Sequence, residues 1–135
     1  MTTKGDVKTQ LLTAKNWRVS SDVIETTRNG VADAPYDKYA NLAPCGKDDF
    51  IRFRDDMSML VDEGPTKCAP NDPQTQGGKW SWNSGQTEIT MTDPTFAGRD
   101  KYSGPVDLTT DTITIVLTDT KGTTVTKETI VYKGF

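Results

Sequence analysis

From Asn16 onward the apolar side chains fall at every second position, in short runs separated by turn residues. Trp17, Val19, Ser21 and Val23 alternate with Arg18, Ser20, Asp22 and Ile24. Ile113, Ile115 and Leu117 alternate with Thr114, Val116 and Thr118. A period of two puts successive side chains on opposite faces of an extended strand, so each run asks for one buried face and one solvated face. Glycine, proline and acidic residues punctuate the runs at Asp55-Asp56, Gly64-Pro65, Asn83-Ser84-Gly85, Thr109-Thr110-Asp111 and Asp119 to Gly122. These are turn chemistries, and abundant threonine favours the pleated surface between them.

The pattern predicts eight strands. The first starts at Asn16. The others are Asp49 to Arg54, Met57 to Glu63, Lys79 to Asn83, Gln86 to Thr92, Pro105 to Leu108, Thr112 to Thr118 and Thr123 to Lys133. Arg28 to Pro44, Lys67 to Gly78 and Asp93 to Gly104 are expected to be loops. Ahead of the first strand, Asp6 is placed to cap a short helix with Val7, Leu11 and Ala14 on one face. Such a helix is too short to stand alone and needs a surface to lie on. Connections of hairpin length make sequence neighbours pair in space, and an eight-stranded meander removes its exposed edges by closing. The expected fold is therefore all-β: an eight-stranded antiparallel up-and-down barrel with a short N-terminal helix. Residues 1–135 read as a single domain, with residues 1–5 as a flexible or vector-derived start.

Cys45 precedes the second strand and Cys68 follows its hairpin partner. A hairpin returns its ends to one place, so a disulfide is the leading reading. It implies an oxidising compartment. Two free thiols are the plainer alternative. A metal site is the third, but with no histidine it would have to draw on carboxylates.

Zero histidines also exclude Ser-His and Cys-His nucleophiles. No glycine-rich loop joins a strand to a helix, so nothing cradles a nucleotide, and no cofactor is expected. The net charge is −3 and no basic stripe exists, which disfavours nucleic acid and anionic membrane surfaces. No apolar run is long enough to span a bilayer as a helix. The acid pairs Asp48/Asp49, Asp55/Asp56 and Asp62/Glu63 read as solvated turn residues. A two-carboxylate hydrolase, or a calcium site from Asp48, Asp49, Asp62 or Asp72, is the lesser reading.

Trp17, Phe53, Met59, Val61, Trp80, Ile89 and Met91 are the candidate inward residues. A barrel of eight strands has room for its own side chains or for one small ligand. Two readings follow. In one, these side chains line a small apolar pocket. In the other, they fill the barrel, which then serves as a scaffold whose long loops meet a partner. The large residues on both faces of the second strand leave its inward side open, and the oligomeric state is not legible.

Three segments also carry a resemblance: Cys45-Gly46-Lys47-Asp48-Asp49-Phe50-Ile51-Arg52-Phe53, Asp62-Glu63-Gly64-Pro65-Thr66-Lys67-Cys68, and Asp72-Pro73-Gln74-Thr75-Gln76-Gly77-Gly78-Lys79-Trp80. Together with Leu11-Leu12-Thr13-Ala14-Lys15-Asn16-Trp17 they resemble the small lipocalin-like domains of bacterial cell-surface lipoproteins. One position departs: Lys15 stands where such first strands carry glycine, two residues before the tryptophan. The resemblance implies a lipocalin-like barrel, export to the periplasm or cell surface, and a lipid anchor in a full-length precursor. A small apolar or amphipathic ligand and no enzymatic activity are the functional expectation.

Overall fold

The computed structural model describes residues 7–71, 73–92 and 102–135. Helix α1 (Val7–Thr13) leads into β1 (Asn16–Arg28). Two short strands, β2 (Val31–Ala32) and β3 (Tyr36–Asp37), and one helical turn, α2 (Pro44–Lys47), precede β4 (Phe50–Phe53) and β5 (Ser58–Asp62). Then come β6 (Thr75–Trp82), β7 (Glu88–Thr92), β8 (Tyr102–Leu108), β9 (Thr112–Lys121) and β10 (Thr124–Gly134). The sheet runs β10-β9-β8-β7-β6-β5-β4-β1, and β1 also pairs with β10. The eight main strands therefore form a closed antiparallel barrel, as the alternation predicts.

Alternation also sorts the faces. Ile113, Ile115, Leu117, Ile130 and Tyr132 are buried on β9 and β10, as are Met59, Val61, Trp80, Ile89 and Met91 on β5 to β7. On β4, Ile51 and Phe53 are buried while Arg52 is exposed, which settles the strand whose inward face the sequence left open.

The predicted bounds need four corrections. The loop expected to run to Gly78 ends at Gln74, because β6 takes in Gly77 and Gly78 opposite Leu60 and Met59. A backbone ladder needs no side chains, and pairing with β5 holds the glycines in register. β8 begins at Tyr102, inside the loop expected to reach Gly104. β9 continues to Lys121, through residues expected to turn. The Arg28 to Pro44 connection is not wholly irregular: β2 and β3 add to the free edge of β1 through Thr27↔Ala32 and Ile24↔Tyr36.

The face of α1 is also corrected. Thr9 and Leu12 are the buried residues, and Val7 is 69% exposed. The reason is hydrogen bonding. The buried indole N–H of Trp17 donates to the Leu12 carbonyl at 2.8 Å, and the half-buried Trp82 donates its indole N–H to Thr9 Oγ1 at 3.2 Å. A buried indole N–H without an acceptor would be costly, so the helix turns its polar groups inward. The capping role of Asp6 lies outside the described residues.

The helix covers the end of the barrel that carries the β4–β5, β6–β7 and β8–β9 turns. Trp17 lies inside, against Gly134 of β10. A Cβ at Gly134 would sit 3.1 Å from Cζ3 of that indole. The glycine that lets backbone approach the tryptophan is thus supplied across the ladder, by the residue paired with Trp17, rather than at position 15. Next to it, Phe53 and Trp82 each meet the Trp80 ring edge-on, with centroids 5.8 Å apart.

Candidate ligand cavity

The other end of the barrel, which carries the β1–β2 and β9–β10 turns and the loops around α2, is not filled. A cavity of about 190 Å³ lies there. Its apolar wall is made by Trp17, Val19, Phe50, Ile51, Val61, Ile130 and Tyr132, and its polar wall by Asp22, Asp49 and Glu63. No lysine or arginine lines it among the described residues.

The cavity follows from how β1 and β4 part. Their pairing covers only Asn16↔Arg52 to Arg18↔Phe50. Beyond Phe50 the preceding chain leaves the sheet as α2, and on this edge β1 next meets a partner at Val23, opposite Asp37. Of α2, Gly46 lines the cavity, without a side chain to fill it. Pro44 starts that turn, and the Gly46 and Lys47 amides donate to the Ala43 carbonyl at 2.9 and 3.2 Å. Cys45 is bonded to Cys68, with their Cα atoms 5.1 Å apart. The predicted disulfide therefore ties the α2 wall to the loop that leaves β5. It is also consistent with an oxidising, extracytoplasmic setting.

Each acidic residue reaches the cavity by strand parity. Ile51 and Val61 are an inward, cross-strand pair. Asp49 and Glu63 lie two residues beyond them on the same face, where the strands end. Asp48 and Asp62, the other halves of the two acid pairs, are engaged elsewhere. Asp48 accepts the Thr66 amide at 3.0 Å. Asp62 accepts the Gly64 amide and the Gln74 side chain, each at 2.8 Å. Gly64 itself, at φ +70°, passes so close to Asp48 that a Cβ would run into the Asp48 carbonyl oxygen.

Asp49 Oδ1 is buried with no hydrogen-bond partner among the described residues. Burial, reinforced by the negative charges of Glu63, Asp48 and Asp62, pushes the Asp49 carboxyl up to about 7.

Asp22 arrives by a different route. The ladder between β1 and β10 shifts register between Val19 and Ser21, a β-bulge. One extra residue inverts the alternation, so Asp22 turns inward and is only 6% exposed. Beside it on β10, Glu128 is 2% exposed. Lys38, on the segment after β3, reaches in with Nζ 3.3 Å from Glu128 Oε2 and 3.9 Å from Asp22 Oδ2. The amides of Lys38 and Tyr39 also donate to the Asp22 carbonyl, at 2.9 and 3.2 Å. This strap pairs the more buried acids, Asp22 and Glu128, with a cation; no lysine or arginine lines the Asp49–Glu63 side among the described residues.

Of the seven inward candidates, Trp17 and Val61 line the cavity. Phe53, Met59, Trp80, Ile89 and Met91 are buried in the packed half of the barrel, off the cavity wall. The sequence reading missed Asp22, because a bulge leaves no mark on the alternation. It left Asp49 and Glu63 among solvated turns, although each lies two residues from an inward apolar residue. Tyr36 is exposed, and Tyr39 is half-buried under the Lys47 ammonium, 5.0 Å from its ring centroid. Among the described residues no group of three or more acids or cysteines is placed to hold a metal, and Asp72 lies outside them. No helix among those residues is long and apolar enough to cross a membrane. No protein-family model and no curated protein matches the chain.

Proposed function

We propose that this protein is an exported, lipocalin-like binding barrel that takes one small amphipathic molecule into the cavity beside Trp17 and catalyses no reaction. The observation that carries this is the half-filled interior: packed at the helix end, open for about 190 Å³ at the disulfide end. Protein interiors otherwise pack to crystal-like density, and an apolar void of roughly 150 Å³ is enough to bind benzene. The lining has the usual form of a ligand site, apolar walls with a few convergent polar groups. Export is supported by the disulfide. The lipid anchor and cell-surface location rest on the lipocalin-like resemblance.

Native mass spectrometry of protein purified without detergent tests the reading. A retained small molecule, or saturable quenching of tryptophan fluorescence by small aromatic probes, supports it. An interior that retains nothing and takes up no probe refutes it. The scaffold alternative is favoured by one observation: five of the seven inward candidates are committed to packing. In that case the Arg28 to Pro44 segment, with exposed Tyr36, would carry the contacts, and Tyr36→Ala would weaken partner capture without touching probe uptake.

A further inference from the structure

We infer that the molecule held in this cavity carries a protonated amine, bound by Asp49 and Glu63, with its apolar body against Trp17 and Tyr132. The inference rests on the binding reading above and specifies its ligand. Three carboxylates converge on a space whose other walls are apolar, and no lysine or arginine lines it among the described residues. An anion would enter against like charge. A neutral hydrocarbon would strip water from the carboxylates and return nothing. An ammonium would give the Asp49 carboxylate, whose buried Oδ1 has no hydrogen-bond partner among the described residues, a charge-assisted partner, and would bridge it to Glu63. Trp17 and Tyr132 place two aromatic rings in the same wall. A cavity somewhat larger than one that admits benzene sets the size: a primary amine on one ring or a short branched chain.

Lys38 shows the same chemistry built into the protein. Its ammonium already occupies the Asp22–Glu128 side, so the vacant demand for a cation lies at Asp49 and Glu63. The charges that bear on Asp49 are those of Glu63, Asp48 and Asp62, with Asp22 across the cavity. All are acidic. An incoming ammonium would therefore displace the proton that Asp49 holds near neutrality, so binding should release protons and tighten as pH rises from about 6 to about 8.

The experiment is calorimetric titration at pH 8 with benzylamine, benzyl alcohol and benzoate, three probes of one size and different charge. Expected is benzylamine binding at least about tenfold tighter than benzyl alcohol, with no benzoate binding. Titration at pH 7 in two buffers of different ionisation enthalpy should show proton release. Asp49→Asn and Glu63→Gln should each weaken benzylamine about tenfold or more, and Asp49→Asn should remove the proton release. Benzyl alcohol or benzoate binding as tightly as benzylamine overturns the amine inference and leaves a ligand-binding cavity standing. So does an anion recovered from the purified protein. If none of the three probes binds and nothing is retained from purification, both readings fall.

Discussion

Asp49 is where the sequence carries the most chemistry in one side chain. Its ordinary value is 3.8, and in the fold it is pushed up to about 7 by burial and by its acidic neighbours. Between those values the folded protein keeps a proton that the unfolded chain releases. Asp49 therefore makes stability fall as pH rises from about 4 to about 7, and the loss is complete above that. Asp49→Asn removes the loss. It should raise Tm at pH 8 by a few degrees, equivalent to about 1 kcal/mol once solvent screening of this partly exposed side chain is allowed for, and change little at pH 4. Thermal melts at the two pH values check this; an equal gain at both, or none at pH 8, contradicts it. Asp56 and Asp111 act with the opposite sign. Hydrogen bonds from Ser58 hold the first below its ordinary value, and the Lys15 ammonium holds the second. Their contributions are lost only as pH falls below about 4. Asp49 was visible in the sequence as one of an acid pair. Its role was not, because that depends on whether Ile51 or Arg52 points inward, and the second strand has large residues on both faces.

At the scale of elements, the barrel strands were legible because each repeats one physical demand, an inward face and an outward one. What escaped was whatever breaks that repeat. The bulge in β1 spends one residue between Val19 and Ser21 and turns Asp22 inward; strict alternation had placed Ile24 and Asp22 together opposite Trp17. Gly77 and Gly78 escaped for the converse reason, since pairing with β5 overrides weak local preference. The α2 turn was hidden as well, being only four residues long. Yet it forms the cavity wall, and the disulfide holds it there. Replacing both cysteines by serine should lower stability by about 3 kcal/mol, as expected for a closed loop of this length. Its more specific effect should be local. Hydrogen exchange at the Gly46 and Lys47 amides should quicken, while amides of the β9–β10 ladder keep the protection of the global fold. Uniform quickening would mean that the disulfide supports the whole barrel rather than this wall. Gly64→Ala reaches the same corner from the backbone side. It places a Cβ against the Asp48 carbonyl at positive φ, and should destabilise by about 1–3 kcal/mol.

The whole molecule divides into a packed half and an open half, and the two halves should answer mutation differently. Trp80 stands in the packed half, its ring edge-on to Phe53 and Trp82 and its indole N–H donating to the Arg54 carbonyl at 2.8 Å. Truncating it to alanine should remove about 3–5 kcal/mol of stability, the range for large aromatic side chains in cores. Val61 stands at the boundary, buried on β5 with its side chain against the cavity. Val61→Phe adds volume where space already exists, so the overpacking penalty of a dense core does not apply, and burial of the added ring should hold stability level or raise it by about 1 kcal/mol. The same ring takes the place of the ligand. A binding barrel thus predicts a variant that is as stable as the parent and no longer takes up amine or aromatic probes. A scaffold barrel predicts that Val61→Phe changes no interaction at all, because its partner meets the loops outside. Melting temperature and probe titration on this one variant separate the two, and undiminished probe binding in a stable Val61→Phe protein would place the ligand somewhere other than the barrel interior.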